Sequence, residues 1–280
     1  MATNKLFIHI FKDLEAGKLI LPALPEVATK IRRTLNDPQV SIDDAANLIR
    51  VDPNLSAYIL KIANSPFYQR LSPAVDIKTA IMRLGYITTR NICGTYAMRS
   101  LFKPRVNKLR PIMRSLWKGA ADLGATSAVL ASRLSNFPFD EALTAGLIQD
   151  IGILPILDKL YQHDPKFDLT DEAREVIEKN AAKISSLVLH KWHFHEDLVN
   201  VVRSRKDWMR DPEPEAQLAD VVLIARLHMY ISQHKRREYP PLHSLPAFSK
   251  LKLDELGPEE GLAILEEAKE EIDALRRLLL

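Results

Sequence analysis

Apolar residues recur every three to four positions along most of the chain, and no stretch alternates convincingly between apolar and polar residues. A period near 3.6 is typical of α-helices with one buried face, whereas alternation is typical of strands. Two clear apolar stripes come early in the chain, and they consist of Leu6, Phe7, Ile10, Phe11 and Leu14, followed by Val27, Ile31 and Leu35. The pattern therefore predicts an all-α fold.

The same period predicts further helices in the rest of the chain. They are expected at 116–134, at 140–153, at 170–192, around Leu198, at 218–231 and, as an amphipathic terminal helix, at 258–280. The segment 239–250 is rich in proline and serine, which predicts a loop.

Several polar residues stand where helices should begin or end. Ser41 and Asp76 precede apolar helical segments and are expected to cap them, and Asp52 followed by Pro53 predicts a cap and a first helical residue. The helix that begins at Pro53 should end before Pro66, because proline disfavours the helical conformation at the residue that precedes it.

A connector is predicted near Val106, where Pro104 and Pro111 flank a basic stretch. We therefore expect an N-terminal helical subdomain at 1–106, a second helical subdomain at 107–250 and a C-terminal amphipathic helix at 251–280. A chain of 280 residues is long enough for two such subdomains.

Composition narrows the class of protein. With 46% hydrophobic and 27% charged residues, the chain has the composition of a globular protein. No uninterrupted apolar run approaches the roughly 20 residues that cross a bilayer, so we expect a cytoplasmic protein with no membrane partner. The single cysteine, Cys93, lies in an apolar stretch and is expected to be a buried structural thiol.

Charge is unevenly distributed, although the net charge is only +3. No acidic residue occurs between Asp76 and Asp122, and the segment from Lys78 to Lys118 is strongly basic. Such a segment could attract a nucleotide, a nucleic acid or an acidic partner. It lacks an interleaved aromatic platform on which bases could stack, so a solvated surface that balances the acidic C-terminal stretch is favoured and nucleic acid is not an expected partner.

One run of the sequence resembles a known family. The segment from Leu21 to Tyr68 resembles the N-terminal signature of HDOD domains, and the resemblance extends over 19–230. The resemblance rests on the dipeptides Leu24-Pro25 and Asp52-Pro53, and on Asn64-Ser65 at a predicted helix end. The resemblance implies an N-terminal helical bundle packed on an HD-like helical subdomain, and a regulatory role in bacterial signal transduction.

HD phosphohydrolases, to which this family is related, hold metal ions through a histidine, a His-Asp pair and a later aspartate. The resemblance places Gly119, Gln149, Asp150 and Arg226 at those positions, so only the aspartate is retained. An arginine about 5 Å from a dication would repel it by on the order of 6 kcal/mol at an effective dielectric constant of about 20. We therefore expect a relict pocket without metal, cofactor or catalytic residues, with Asp150 a helix-interior acid satisfied by local hydrogen bonds or a basic neighbour.

A histidine cluster leaves one alternative open. His190 and His193 have the spacing of one helical face, and His195 follows closely, so a transition-metal site is conceivable there. The resemblance instead places 192–194 at a helix end and turn, which favours exposed histidines without a metal.

Three functions follow from these features. The expected function is a non-catalytic signalling module that binds a signalling protein or holds a small ligand in the relict pocket. The first alternative is a metal-dependent phosphohydrolase whose site is rebuilt from Asp150 and the histidines. The second alternative is a regulator that binds a nucleotide or nucleic acid through the basic segment.

Overall fold

The computed structural model describes residues 21–68, 72–103, 106–134, 137–233, 239–241, 244–253 and 267–280. The described residues contain helices and no strand, so the predicted all-α fold class is confirmed. The predicted apolar stripe at 6–14 lies outside the described residues, as does the first part of the predicted terminal helix, 258–266.

The described residues fall into two compact units. Residues 24–101 and 273–280 form one, which we call the N-terminal unit, and residues 21–23 and 102–272 form the other, the central unit. The subdomain boundaries at 106 and 250 stay predictions.

Four helices follow one another in the N-terminal unit: α1 at Glu26–Leu35, α2 at Ile42–Arg50, α3 at Pro53–Ala63 and α4 at Ile77–Arg99. Three of them begin at the polar residues expected from the sequence. The Ser41 side chain accepts a hydrogen bond from the backbone N–H of Asp44, Asp52 accepts from Asn54 and Leu55, and Asp76 accepts from Thr79. Each bond satisfies an N–H group that the helix itself cannot pair.

Asn64 ties the end of α3 to the segment that precedes α4. Its amide group donates to the carbonyl of Ala74 at 2.9 Å and accepts from the N–H of Ala74 at 2.7 Å. Arg83 on α4 donates to the Asn64 side chain and to the Ala63 carbonyl, both at 2.9 Å. This residue of the HDOD-like signature therefore joins three parts of the N-terminal unit.

The core of the N-terminal unit consists of apolar side chains from all four helices. Its largest fully buried members include Ile31, Ile49, Leu55, Ile59, Ile62, Ile81 and Ile92. Cys93 is buried among them, as expected, and burial raises the pKa of its thiol. Gly85 interrupts α4 with a φ of 78°, a conformation that favours glycine, and the helix is kinked there.

The helices of the central unit begin at Arg110. They are α5 at Arg110–Leu134, α6 at Phe139–Ile148, α7 at Ile153–His163, α8 at Asp171–Lys191, α9 at Glu196–Arg203, α10 at Leu218–Ser232 and α11 at Pro246–Lys250. The first residues of helix α12, Lys269–Leu279, belong to the central unit and the rest, from Asp273, belong to the N-terminal unit. Short 3-10 turns occupy Ser100–Phe102 and Asn107–Leu109.

Two predictions about helix bounds are wrong. The helix expected at 140–153 ends at Ile148, and α7 starts only at Ile153. The backbone turns between them where Gly152 packs against α8. The N–H of Gly152 donates to the Ser185 hydroxyl at 2.9 Å. A Cβ on Gly152 would lie 2.3 Å from the Ser185 backbone nitrogen, so this close approach requires glycine. The predicted loop at 239–250 ends in α11, where Pro246 supplies a first helical residue with a fixed φ.

Helices α5 and α6 approach each other at a pair of glycines. A Cβ added to Gly146 would lie 2.7 Å from the Cα of Gly124, so neither position has room for a side chain. This contact fixes the end of α6 against α5 and thereby positions the turn that follows, which carries Gln149 and Asp150.

Candidate functional site

The turn between α6 and α7 carries Asp150, whose carboxylate contacts two arginines. One Asp150 oxygen accepts a hydrogen bond from Nε of Arg205, just after α9, and the other accepts from Nη2 of Arg226 on α10 at 3.0 Å. Both guanidinium groups are almost fully buried, whereas a quarter of the Asp150 side chain remains exposed. Both oxygens of the carboxylate are therefore engaged by cationic side chains.

Gln149 is held by the same arginine. Its side-chain oxygen accepts from Nε of Arg226 at 2.8 Å and also from Nη2, and its amide nitrogen lies 3.4 Å from the Val201 carbonyl. Gln149 is only 1% exposed. The one neutral oxygen that this residue could offer a cation is consequently bound to a guanidinium.

A second carboxylate completes the arrangement. Glu178 on α8 receives two hydrogen bonds from Arg205, at 2.6 and 3.2 Å, and lies 2.8 Å from Nζ of Lys206. The Lys206 ammonium also lies 5.3 Å from the centre of the Tyr230 ring. We call Gln149, Asp150, Glu178, Arg205, Lys206 and Arg226 the Asp150 cluster.

Electrostatics within the Asp150 cluster favour the charged forms. Burial alone would raise the pKa of Asp150, but the charges and hydrogen bonds of Arg205 and Arg226 outweigh it and hold that pKa well below its usual range. For Glu178, burial is likewise outweighed by Arg205 and Lys206, which lower its pKa to about 2. Burial would lower the pKa of Arg205, yet Asp150 and Glu178 raise it above the usual value.

The residues present do not fit a metal ion of the HD type. Three cationic side chains and two carboxylates already give the Asp150 cluster a net charge of +1. A divalent ion would need free carboxylate or imidazole ligands, but both Asp150 oxygens are hydrogen-bonded to guanidinium groups. The arginines thus occupy the carboxylate oxygens that an ion would need as ligands.

The structure brings three of the four relict-pocket residues together. Gln149, Asp150 and Arg226 are in direct contact, whereas Gly119 lies half-exposed on α5, and a Cβ placed on it would meet no atom within 4 Å. The expectation that Asp150 lies in the interior of a helix is wrong, but the basic neighbour expected as one of its partners is present, since Arg205 and Arg226 both contact it. Asp150 lies in the turn that follows α6, and its partners are 55 and 76 residues away in sequence.

Sequence reasoning missed Arg205, Lys206 and Glu178. A retained buried aspartate needs a cationic partner, and the basic stretch that follows α9 contains two candidates, Arg205 and Lys206. That signal could have suggested Arg205, but Glu178 carries no local mark because it is one of several acidic residues on α8.

The histidine cluster does not form the shared helical face that its spacing allows. Helix α8 ends at Lys191, between His190 and His193, and His193 has a φ of 55° in the turn that follows. The exposed His195 caps α9, and its Nδ1 lies 2.9 Å from an Asp197 oxygen. Within the part of the chain that the structure describes, no three His, Cys, Asp or Glu residues are arranged to hold a metal ion.

Comparison with known proteins decides the family. The HDOD domain profile matches residues 21–208, about two thirds of the chain. The chain belongs to the HDOD family. The match includes the signature residues Leu24 and Asn64 as well as Asp150 and Arg205 of the Asp150 cluster, and it stops before Arg226.

Solved structures share the HDOD fold of this chain over most of its length. A candidate metal-dependent phosphohydrolase from Shewanella amazonensis SB2B is 24% identical with a TM-score of 0.77, and the alignment covers 100% of both chains. An HDOD domain protein of unknown function from Geobacter sulfurreducens is 21% identical with a TM-score of 0.67, covering 98% of this chain and 96% of the other. At these identities, the likeness shows the fold.

Two further relatives extend the comparison. A candidate signal transduction protein from Marinobacter aquaeolei VT8 is 22% identical with a TM-score of 0.58, and the alignment covers 94% of this chain and 60% of that protein. An uncharacterised protein from Treponema pallidum (strain Nichols) is 23% identical over 221 residues. That match covers 74% of this chain and 42% of the Treponema protein, so the HDOD chain spans less than half the length of this relative.

Of the helices that the structure describes, none is both long enough and apolar enough to cross a bilayer.

Proposed function

We propose that this HDOD chain is a non-catalytic regulatory module in bacterial signal transduction, and that it acts by binding a signalling protein or a small ligand. The observation that supports this proposal most is the double engagement of Asp150. Its two carboxylate oxygens, the ligands that an HD enzyme would use for metal, are hydrogen-bonded to Arg205 and Arg226.

A metal ion at Asp150 would have to displace two guanidinium groups. Arg205 and Arg226 are 4% and 5% exposed, so both side chains are shielded from water where they contact Asp150. An incoming dication would also face their positive charges at close range, where repulsion amounts to several kcal/mol even at an effective dielectric constant of about 20. Chemistry that depends on a metal-activated water therefore has no support from these residues.

The Asp150 cluster instead suits a structural role. It joins four parts of the central unit: the turn after α6, helix α8, the turn after α9 and helix α10. We infer that ion pairs replace metal ligation as the link among these helices, which leaves the surface of the module to recognise its partner.

A metal-dependent phosphohydrolase is the alternative. It is favoured by the fold shared with the candidate phosphohydrolase of Shewanella amazonensis. It would require Asp150 to leave both arginines, or a site built at the histidines that follow α8.

Hydrolysis assays distinguish the two functions. The full chain, purified without chelator, is incubated with manganese and either generic phosphate esters or cyclic dinucleotides. We expect no turnover above that of a buffer blank. Turnover that is lost in Asp150→Asn, with the fold checked by circular dichroism, would restore the phosphohydrolase interpretation.

A further inference from the structure

The first turns of α5 carry a pocket that is separate from the Asp150 cluster. It has a volume of about 360 Å³ and is lined by Arg110, Pro111, Arg114, Ser115 and Lys118. All five residues are exposed. We call it the α5 basic pocket, because three of its five lining residues are cationic and none is acidic.

The three cations form a row along one side of the helix. Arg110, Arg114 and Lys118 are four residues apart, a spacing that places their Cβ atoms about 5–6 Å from one another on neighbouring turns. Like charges at this spacing destabilise a helix. The row therefore carries a repulsion that a bound anion would relieve.

The cations of the α5 basic pocket lack the acidic partners found elsewhere on the surface. Arg110 donates to the neutral side chain of Asn107 at 3.1 Å, and among the described residues Arg114 and Lys118 form no ion pair. Some exposed cations on other helices do have such a partner, since Lys179 lies 2.8 Å from Glu175 and Arg203 lies 3.0 Å from Glu196.

The charged ends of the lining side chains match a phosphate group, while the surface of the pocket itself is mostly apolar. Two guanidinium groups can each donate paired hydrogen bonds to a phosphate, a lysine adds a third positive charge, and the Ser115 hydroxyl can donate as well. The volume lies at the lower end of the range known for small-molecule sites. We propose that the α5 basic pocket binds a phosphate-bearing small molecule of nucleotide size or less.

Larger polyanions fit the pocket less well. Its wall spans residues 110–118 of a single helix, about 12 Å, and contains no aromatic side chain on which a base of single-stranded nucleic acid could stack. The proposal does not depend on the non-catalytic function, because the α5 basic pocket and the Asp150 cluster share no residue.

Isothermal titration calorimetry with inorganic pyrophosphate and with ADP tests the proposal on the full chain without divalent ions. We expect saturable binding at one site for at least one probe. Arg114→Gln should weaken it by about tenfold or more, since a charge-assisted pair is lost. Arg174→Gln, which removes an exposed arginine from α8 instead, should leave the affinity unchanged.

Both substituted side chains are exposed, so both variants should keep the circular dichroism spectrum and melting temperature of the wild type. Three results would overturn the proposal: no saturable binding of either probe, equal weakening in Arg114→Gln and Arg174→Gln, or tighter binding of a single-stranded oligonucleotide or an acidic peptide than of both probes.

Discussion

Arginines occupy two opposite settings in the central unit. In the Asp150 cluster, Arg205 and Arg226 are buried and their charges are matched by Asp150 and Glu178. In the α5 basic pocket, Arg110 and Arg114 are exposed beside Lys118, and the pocket wall has no carboxylate. The buried arginines therefore stabilise the fold through hydrogen bonds to carboxylates of the protein. The exposed arginines remain available to bind a ligand.

The largest expected effect comes from removing the shared carboxylate. Asp150→Asn leaves Arg226 buried without a counter-ion and deprives Arg205 of one of its two, so the free energy of unfolding should fall by about 3–5 kcal/mol. Urea denaturation measures this change. Glu175→Gln, which breaks an exposed pair on α8, is the matched control and should cause no measurable loss. Equal effects in both variants would contradict the contrast between buried and exposed charges.

A double-mutant cycle should reveal the coupling directly. In the Asp150→Asn background, Arg226→Met removes a buried charge that has lost its counter-ion. The substitution should therefore lower the free energy of unfolding less than it does in the wild type. We expect a coupling energy of about 1–3 kcal/mol between the two sites, from urea denaturation of the two single variants and the double variant. A coupling within error of zero would mean that the ion pair does not stabilise the fold.

Acid should weaken the Asp150 cluster but not the α5 basic pocket. The pKa of Glu178 is lowered to about 2 and that of Asp150 lies below its usual range. Both carboxylates therefore stabilise the fold at pH values above their unfolded-state pKa values, which are near 4. That stability is lost as the pH falls from about 5 toward 2. The urea midpoint should drop over this interval, and Glu178→Gln should flatten the drop, whereas Arg114→Gln should leave its shape unchanged.

The smallest effect is expected in the α5 basic pocket without ligand. Arg114→Gln removes like-charge repulsion with Arg110 and Lys118, so the free energy of unfolding should rise by about 0.2–0.5 kcal/mol or stay constant. Thermal denaturation at low ionic strength measures it, and added salt should shrink any gain. A loss above about 1 kcal/mol would show that Arg114 has a structural partner.

Local signals in the sequence were enough for much of the fold. Ser41, Asp52 and Asp76 cap the helices that they were expected to cap, because capping depends on side chains within three residues. The turn at 149–152 could not be predicted in this way. Apolar residues continue through Ile148, Ile151 and Ile153, so the helical period hides a bend that depends on the contact between Gly152 and Ser185.

The candidate site was predicted only in part for a related reason. The resemblance pointed to Gln149, Asp150 and Arg226, which the structure brings into contact. It did not point to Arg205 or Glu178, which are 27 residues apart and meet only because α8 and the turn after α9 pack side by side. Pairing over such separations follows from tertiary packing and leaves no periodic trace in the sequence.

Manganese binding tests the central claim most directly, since the claim is that Arg205 and Arg226 stand in place of metal ions. The full chain is treated with chelator, dialysed and titrated with manganese in a calorimeter, followed by elemental analysis of the dialysed complex. We expect no saturable binding near one ion per chain. Near-stoichiometric manganese, lost in a folded Asp150→Asn variant, would contradict it.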